Sequence, residues 1–218
     1  MTEPAFTDRL RAACATDWEA ATGCRFVREL SAGSVSPAVM RRYLVQDYQF
    51  IDRFVALLGA AIASADGFPA RLRLSQFLAM IVSDENTYFT RAFDALGVPA
   101  AERQAPVVEP VVREFQALMA EAAQVRGYAE ALSVLVVAEW LYLSWAERHQ
   151  GALPDSFVHA EWITLHDNPF FRDFVGWLRG ELDQAAAALD PAALARCESL
   201  FRRAVALERG FFESLYPA

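Results

Sequence analysis

The chain has 218 residues, 55% apolar and 22% charged, enough for one substantial core and outside the range of disordered chains. A formal net charge of -8 argues against a nucleic-acid partner bound through its phosphates and against an anionic membrane surface. The 3 cysteines, Cys14, Cys24 and Cys197, are widely spaced and form no Cys-x-x-Cys pair, so neither a disulfide framework nor a thiolate zinc site is suggested.

The first residues, MTEPAFTDRL, contain acids and no apolar leader core. No apolar run is expected to cross a bilayer, and the expected location is the cytoplasm. Helical periodicity dominates from there on, and strand signals are nearly absent. A first helix is predicted over Phe6 to Ala21. Ser36-Pro37 reads as an N-cap followed by proline in the first turn, opening a long helix to about Ala65. The stretch DGFP, Asp66 to Pro69, stops it, and the next helix runs from Ala70 to Leu96. Ala100 to Pro110 is looser. Helices follow over Val111–Val125 and Tyr128–His149, then after the loop GALPDS over Phe157–His166 and Pro169–Ala188. Pro191 opens the last, which ends near Leu215. With no internal repeat and no linker, the expectation is an all-α bundle forming a single domain over residues 1–218.

Three acids fall on apolar helix faces. In RRYLVQDYQFIDRF, helical spacing puts Tyr43, Asp47, Phe50 and Phe54 on one face. Asp47 is then either a structural acid tying two helices together or an acid that binds a ligand nitrogen, with Phe50 as a stacking surface. In ALSVLVVAEWLYLSWAERH, Glu139 interrupts an apolar run with Tyr142 one turn later. In the last helix Glu208 sits among Phe201, Ala204, Val205, Phe211 and Phe212. Each is a buried ion-pair member or hydrogen-bonded structural acid, or else a general acid or base with a raised pKa. Convergence of all three on one cavity would account for them together. Metal chemistry is disfavoured: Glu85 is followed three residues later by Tyr88 where a helical carboxylate–histidine motif needs histidine. Of the 3 histidines, His149 reads as a solvated helix end and His159 as lying on an exposed face.

The segment RFVRELSAGSVSPAVMRRYLVQDYQFIDRF resembles the TenA family, the thiaminase II enzymes of thiamin salvage. The resemblance lies in Phe26, Leu30 and Gly33, then in Tyr43, Leu44, Gln46 and Asp47. It extends more weakly through AEWLYLSW, EWITLHDNPFF and ERGFF. It implies a haem-oxygenase-like all-α bundle, a tetramer or dimer, a small-molecule aminopyrimidine partner and no cofactor. Residue by residue it implies that Asp47 binds the aminopyrimidine, Phe50 stacks on it, Tyr43 and Tyr142 belong to the site, and Glu208 exchanges a proton. Three positions depart from the family pattern: Ala138 stands where the catalytic cysteine is expected, Phe115 and His166 where tyrosines are. A branch without the cysteine uses a glutamate, and Glu139 is placed to be it. The resemblance therefore implies a hydrolase acting on an aminomethyl or formylaminomethyl derivative of 4-amino-2-methylpyrimidine, with Glu139 and Glu208 sharing the acid and base roles. The alternatives are a haem-oxygenase-like oxidase on another substrate, with or without a metal, and a pyrimidine-binding protein without catalysis.

Overall fold

The computed structural model describes residues 4–216. Met1–Glu3, on which the reading of the N-terminus partly rests, and the last two residues of the expected domain lie outside them. The described residues form helices and no strand. In chain order these are α1 (Phe6–Ala13), α2 (Ala15–Thr22), α3 (Arg25–Ser31), α4 (Pro37–Asp47), α5 (Ile51–Ser64), α6 (Phe68–Met80), a π-helical turn (Ile81–Glu85), α7 (Asn86–Ala95) and α8 (Ala100–Gln104). Then come α9 (Pro110–Val125), α10 (Tyr128–Ala146), α11 (Phe157–His166), α12 (Pro169–Ala186) and α13 (Pro191–Ser214).

The capping chemistry follows the sequence. Proline follows the N-cap of α4, α12 and α13, where a missing N–H costs nothing. Ser36 Oγ accepts from Val39 N, Asn168 Oδ1 from Phe171 N and Asp190 Oδ1 from Ala193 N at 3.3, 2.9 and 2.7 Å.

Helix α10 is the axis of the bundle. It packs on α13, α12, α5, α9, α11 and α2, which explains why its residues are apolar all round rather than on one stripe. In length and mean hydropathy it meets the requirement for a bilayer span, contrary to the expectation that no such run exists, but its sides are covered by other helices. A continuous apolar core joins residues from Phe6 to Leu215 around it.

Three predicted helices are divided. The first breaks at Cys14, whose N–H is shared between the carbonyls of Leu10 and Arg11 at 3.2 and 3.1 Å. The break lets α1 face α12 while α2 puts Trp18 between Trp140 and Phe201. The predicted helix to Ala65 breaks after Asp47. There Gln49 N and Phe50 N bond to carbonyls three residues back, at 3.1 and 2.9 Å, a tightened turn. Gln116 Nε2 donates to the Gln49 carbonyl at 2.7 Å, satisfying an acceptor that the turn releases. The third, Ala70 to Leu96, is interrupted by the π-helical turn. Two short helices, α3 and α8, lie where none was predicted.

Two histidine expectations are corrected. His159 is buried, because α11 packs against α3 and α7 as well as α10 and has no free face at that position. His149 is half-buried and its Nδ1 pairs with Ser31 Oγ at 2.7 Å, joining the end of α10 to α3.

Gly33 closes α3 with a left-handed φ of 67°, and a Cβ there would lie 3.0 Å from Pro154 Cβ in the loop after α10. Gly33→Ala should lower the unfolding free energy by about 1–2 kcal/mol, from the left-handed penalty and the displaced proline. Urea titration monitored by circular dichroism measures it, and unchanged stability would mean the turn relaxes freely.

Candidate functional site

The breaks around Asp47 and the π-helical turn aim side chains into one cavity beside α10. The centre of a water molecule has about 70 Å³ in it, room for several waters or one small ring. Seven of the eight residues singled out in the sequence reach its wall: Asp47, Phe50, Phe115, Glu139, Tyr142, His166 and Glu208. They come from α4, the α4–α5 turn, α9, α10, α11 and α13. The eighth, Tyr43, lies one layer behind, fully buried. Ala138 is on the wall, while Cys14, Cys24 and Cys197 are not.

A hydrogen-bond chain anchors Asp47. Trp162 Nε1 donates to Tyr43 Oη at 3.0 Å. Tyr43 Oη and Tyr142 Oη are 3.1 Å apart, and Tyr142 Oη donates to Asp47 Oδ1 at 3.3 Å. An indole N–H can only donate and an ionised Asp47 can only accept, so with Asp47 ionised the direction is fixed: Trp162 to Tyr43 to Tyr142 to Asp47. Asp47 does tie α4 to α10, as a structural acid would, yet it also lines the cavity. His166 is oriented too. Its Nδ1 lies 2.8 Å from the Trp162 carbonyl, which can only accept, so Nδ1 carries the proton and Nε2 is left as an acceptor. Phe50 meets Phe115 and Phe211 edge-on, each with ring centres 5.2 Å apart.

The other acids have no such partner. Among the described residues neither Glu139 nor Glu208 has a hydrogen bond or an ion pair, although both are more than nine-tenths buried. The arginine partner that an ion-pair reading of Glu208 requires is absent among the described residues, as is a tyrosine bond to Glu139. A fourth carboxyl, Glu85, lies on the wall and was missed as a site residue. In the sequence it figured only as half of a failed metal motif. Its supposed partner Tyr88 turns away, donating to the Val158 carbonyl at 2.6 Å. The apolar wall residues Phe54, Ile81, Met119 and Trp162 were missed because sequence cannot separate cavity lining from core.

Burial and mutual repulsion set the protonation. Desolvation raises Asp47 to about 7, opposed by the Tyr142 hydrogen bond. Desolvation and the Asp47 charge raise Glu85 to about 8. Glu139 and Glu208 are pushed well above the carboxylate range, first by desolvation, then by Glu85 and Glu208 acting on Glu139 and by Asp47 acting on Glu208. His166 is lowered by burial to about 4 and is neutral. The chain contains no lysine, and no arginine stands on the wall. The cavity therefore suits a cation or a neutral ligand rich in N–H groups and repels an anion. Among the described residues no group of three or more His, Cys, Asp or Glu is arranged to hold a metal ion.

Comparison with known proteins agrees with this architecture. The sequence profile of the TENA/THI-4/PQQC family matches residues 14–218. Over 181 residues the chain is 22% identical to a protein of Bacillus subtilis (strain 168) named aminopyrimidine aminohydrolase, covering 83% of this chain and 77% of that one. Among solved structures, a TenA homologue from P. horikoshii OT3 superposes with a TM-score of 0.85 at 20% identity, covering 97% of this chain and 98% of the other. A protein from Silicibacter sp. TM1040, described as a TenA family transcription regulator, superposes with a TM-score of 0.86 at 21% identity, covering 97% of each chain. At these identities the structural likeness shows the fold, an all-α bundle of the TenA kind.

The raised acids fix how stability changes with pH. The native state retains protons on Asp47 and Glu85 up to about 7 and about 8, whereas the unfolded chain loses them near 3.8 and 4.5. In that window the native state binds more protons, so stability is full below the unfolded values and falls as pH rises. The unfolding free energy from denaturant titration should decline from about pH 4 to about pH 8, by on the order of a few kcal/mol from Asp47 alone. Glu139→Gln should raise stability at the alkaline end and flatten the slope. A midpoint that climbs with pH would show the acids to be ionised in the native protein.

Proposed function

The chain belongs to the TENA/THI-4/PQQC family, and on that premise we propose that it is a hydrolase of thiamin salvage acting on an aminomethyl or formylaminomethyl derivative of 4-amino-2-methylpyrimidine. The relative named aminopyrimidine aminohydrolase supports the reaction class. The single observation that carries the reading to this chain is the cavity: unpartnered carboxyls, aromatic walls and no cation. Alanine at position 138, on the wall, supports a mechanism without a thiol nucleophile, as in the family branch that lacks the cysteine.

Asp47 accepts hydrogen bonds from the ring amino group, and Tyr142 holds Asp47 in place while its own oxygen faces the ligand. Phe50 and Phe115 flank the ring. With the aminomethyl substrate, a water oxygen bonds to the exocyclic carbon and loses a proton to an ionised carboxylate. The carbon–nitrogen bond breaks, its electron pair stays with nitrogen, and Glu139 or Glu208 supplies the proton that lets the amine leave. General acid–base assistance of this kind is worth about 10²–10⁴-fold. The protein acts in the cytoplasm as a tetramer or dimer, without metal.

A panel of aminopyrimidines assayed by product chromatography tests the reaction, and the absence of any hydrolysis would leave a binding protein. Activity should survive chelation; loss restored by iron or manganese would favour the oxidase alternative. Asp47→Asn should weaken binding of the hydroxymethyl product by roughly 1.5–3 kcal/mol, as for a hydrogen bond to a charged group, and calorimetry showing unchanged affinity would remove Asp47 from the site. Glu139→Gln should lower kcat by about two orders of magnitude while product affinity and melting temperature hold or rise. Near-normal kcat in the folded variant would make Glu139 a structural acid.

A further inference from the structure

Glu85 is the one carboxyl of the cavity without a role so far. It ends the π-helical turn Ile81–Glu85, in which a helix accommodates an extra residue, a feature that gathers at functional sites. The turn is braced: Ser83 Oγ donates to the Ala79 carbonyl and Thr87 Oγ1 to the Ser83 carbonyl, both at 2.7 Å. These bonds serve carbonyls that a widened turn would leave poorly matched. The turn's inner edge is Ile81 and Glu85, both on the cavity wall, and its outer edge is Val82, Ser83 and Asp84, all exposed.

Two features set Glu85 apart. It is half-buried, whereas Asp47, Glu139 and Glu208 are buried, so it is the carboxyl that a water entering from solvent meets first. It also acts on Glu139: of the charges felt by Glu139, that of Glu85 is the largest, ahead of Glu208. Among the described residues Glu85 has no hydrogen bond or ion pair of its own, and Glu139, more than nine-tenths buried, has none either. Both line one cavity, and an ionised Glu85 opposes the ionisation of Glu139, so one proton remains with the pair.

We propose that Glu85 is the base of the hydrolysis and Glu139 its acid, a carboxyl pair holding one proton beside the reacting carbon. The assignment rests on the hydrolase reading above. The more exposed member of such a pair loses its proton first, which leaves Glu85 as carboxylate and Glu139 as acid. Glu85 takes a proton from water as the oxygen bonds to the exocyclic carbon. Glu139 gives its proton to the nitrogen as the carbon–nitrogen bond breaks. The pair begins and ends with one proton, moved from Glu139 to Glu85, and exchange with solvent at the exposed member resets it. Burial and the Asp47 charge place Glu85 at about 8, so the active form grows as pH rises through neutrality. The titratable groups that share this cavity or flank Glu85 are Asp47 on α4, exposed Asp84 in the turn itself, Tyr88 on α7, Glu139 and Tyr142 on α10, His166 on α11 and Glu208 on α13. None of them is a cation at neutral pH.

The test compares wild type, Glu85→Gln and Glu85→Asp for kcat against pH, product affinity and the infrared carbonyl stretch of protonated carboxyls without ligand. In wild type kcat should rise along a limb centred near 8. Glu85→Gln should lower kcat about a hundredfold or more and abolish that limb, with product affinity kept. Glu85→Asp should restore part of the limb. The infrared spectrum should lose a carboxyl band that titrates near neutrality in Glu85→Gln. Wild type that hydrolyses no aminopyrimidine overturns the hydrolase reading and this assignment with it. Active wild type whose limb and kcat survive in Glu85→Gln overturns the assignment alone, as does an infrared spectrum that the substitution leaves unchanged.

Discussion

Four carboxyls surround one cavity with no cation to neutralise them, and the protein is organised around tolerating this. Carrying an unpaired carboxylate into a protein interior costs several kcal/mol, and the usual remedy is an arginine or lysine. Here the chain has no lysine, and its wall has no arginine. The remedy is protonation. Glu139 and Glu208 stay neutral, and Asp47, raised only to about 7, ionises before Glu85, which stands at about 8; a directed chain from Trp162 through Tyr43 and Tyr142 delivers a hydrogen bond to it. The arginines are spent on the surface instead, in pairs such as Arg148 with Glu19 and Arg203 with Glu121, which contribute little to stability and leave the interior acidic.

Helix interruptions give the acids their direction. A continuous helix through Asp47 and Phe50 would keep both on one face at fixed pitch. The tightened turn after Asp47 ends α4 at the carboxylate and starts α5 just beyond Phe50, so that the acid and the ring approach the cavity from separate elements. The π-helical turn does the same for Glu85. Both interruptions are sustained by side chains that collect loosened carbonyls: Gln116 at the first, Ser83 and Thr87 at the second. Axial α10 is unbroken, and so carries Ala138, Glu139 and Tyr142 to the same wall at helical spacing.

This division explains what could be read from the sequence. Helix type, the bounds of α11, the N-cap of α4 and the proline that opens α13 were legible, because periodicity and capping are local. Asp47, Glu139 and Glu208 were legible as acids on apolar faces, since each interrupts a pattern. The breaks at Cys14 and Asp47 were not, because no glycine or proline marks them and their cause is tertiary: α1 and α2 face different partners, and Gln116 comes from α9. Glu85 stayed hidden for the same reason, as its inward direction depends on a turn that the pattern does not announce. His159 was misplaced because α11 packs against α3 and α7 as well as α10, contacts that leave no mark on its local pattern.

The alanine at position 138 bears on which chemistry such a cavity can support. A thiol would provide a nucleophile that bonds to carbon, but it would need a neighbouring base or positive charge to become a thiolate. No positive charge on this wall would stabilise that ion: every nearby titratable group is acidic or neutral, and an added negative charge would raise the acids further. On the proposed reading, an alanine where the family's thiol is expected and a wall crowded with carboxyls suit acid–base rather than nucleophilic catalysis. In that setting the mutual repulsion of the acids is useful. It keeps one carboxyl protonated at a pH where a solvated one would be ionised, and a protonated carboxyl is what a departing amine requires. A ligand carrying positive charge would in turn draw the remaining acids toward ionisation, so that more of the base stands in its ionised form when the group it acts upon arrives.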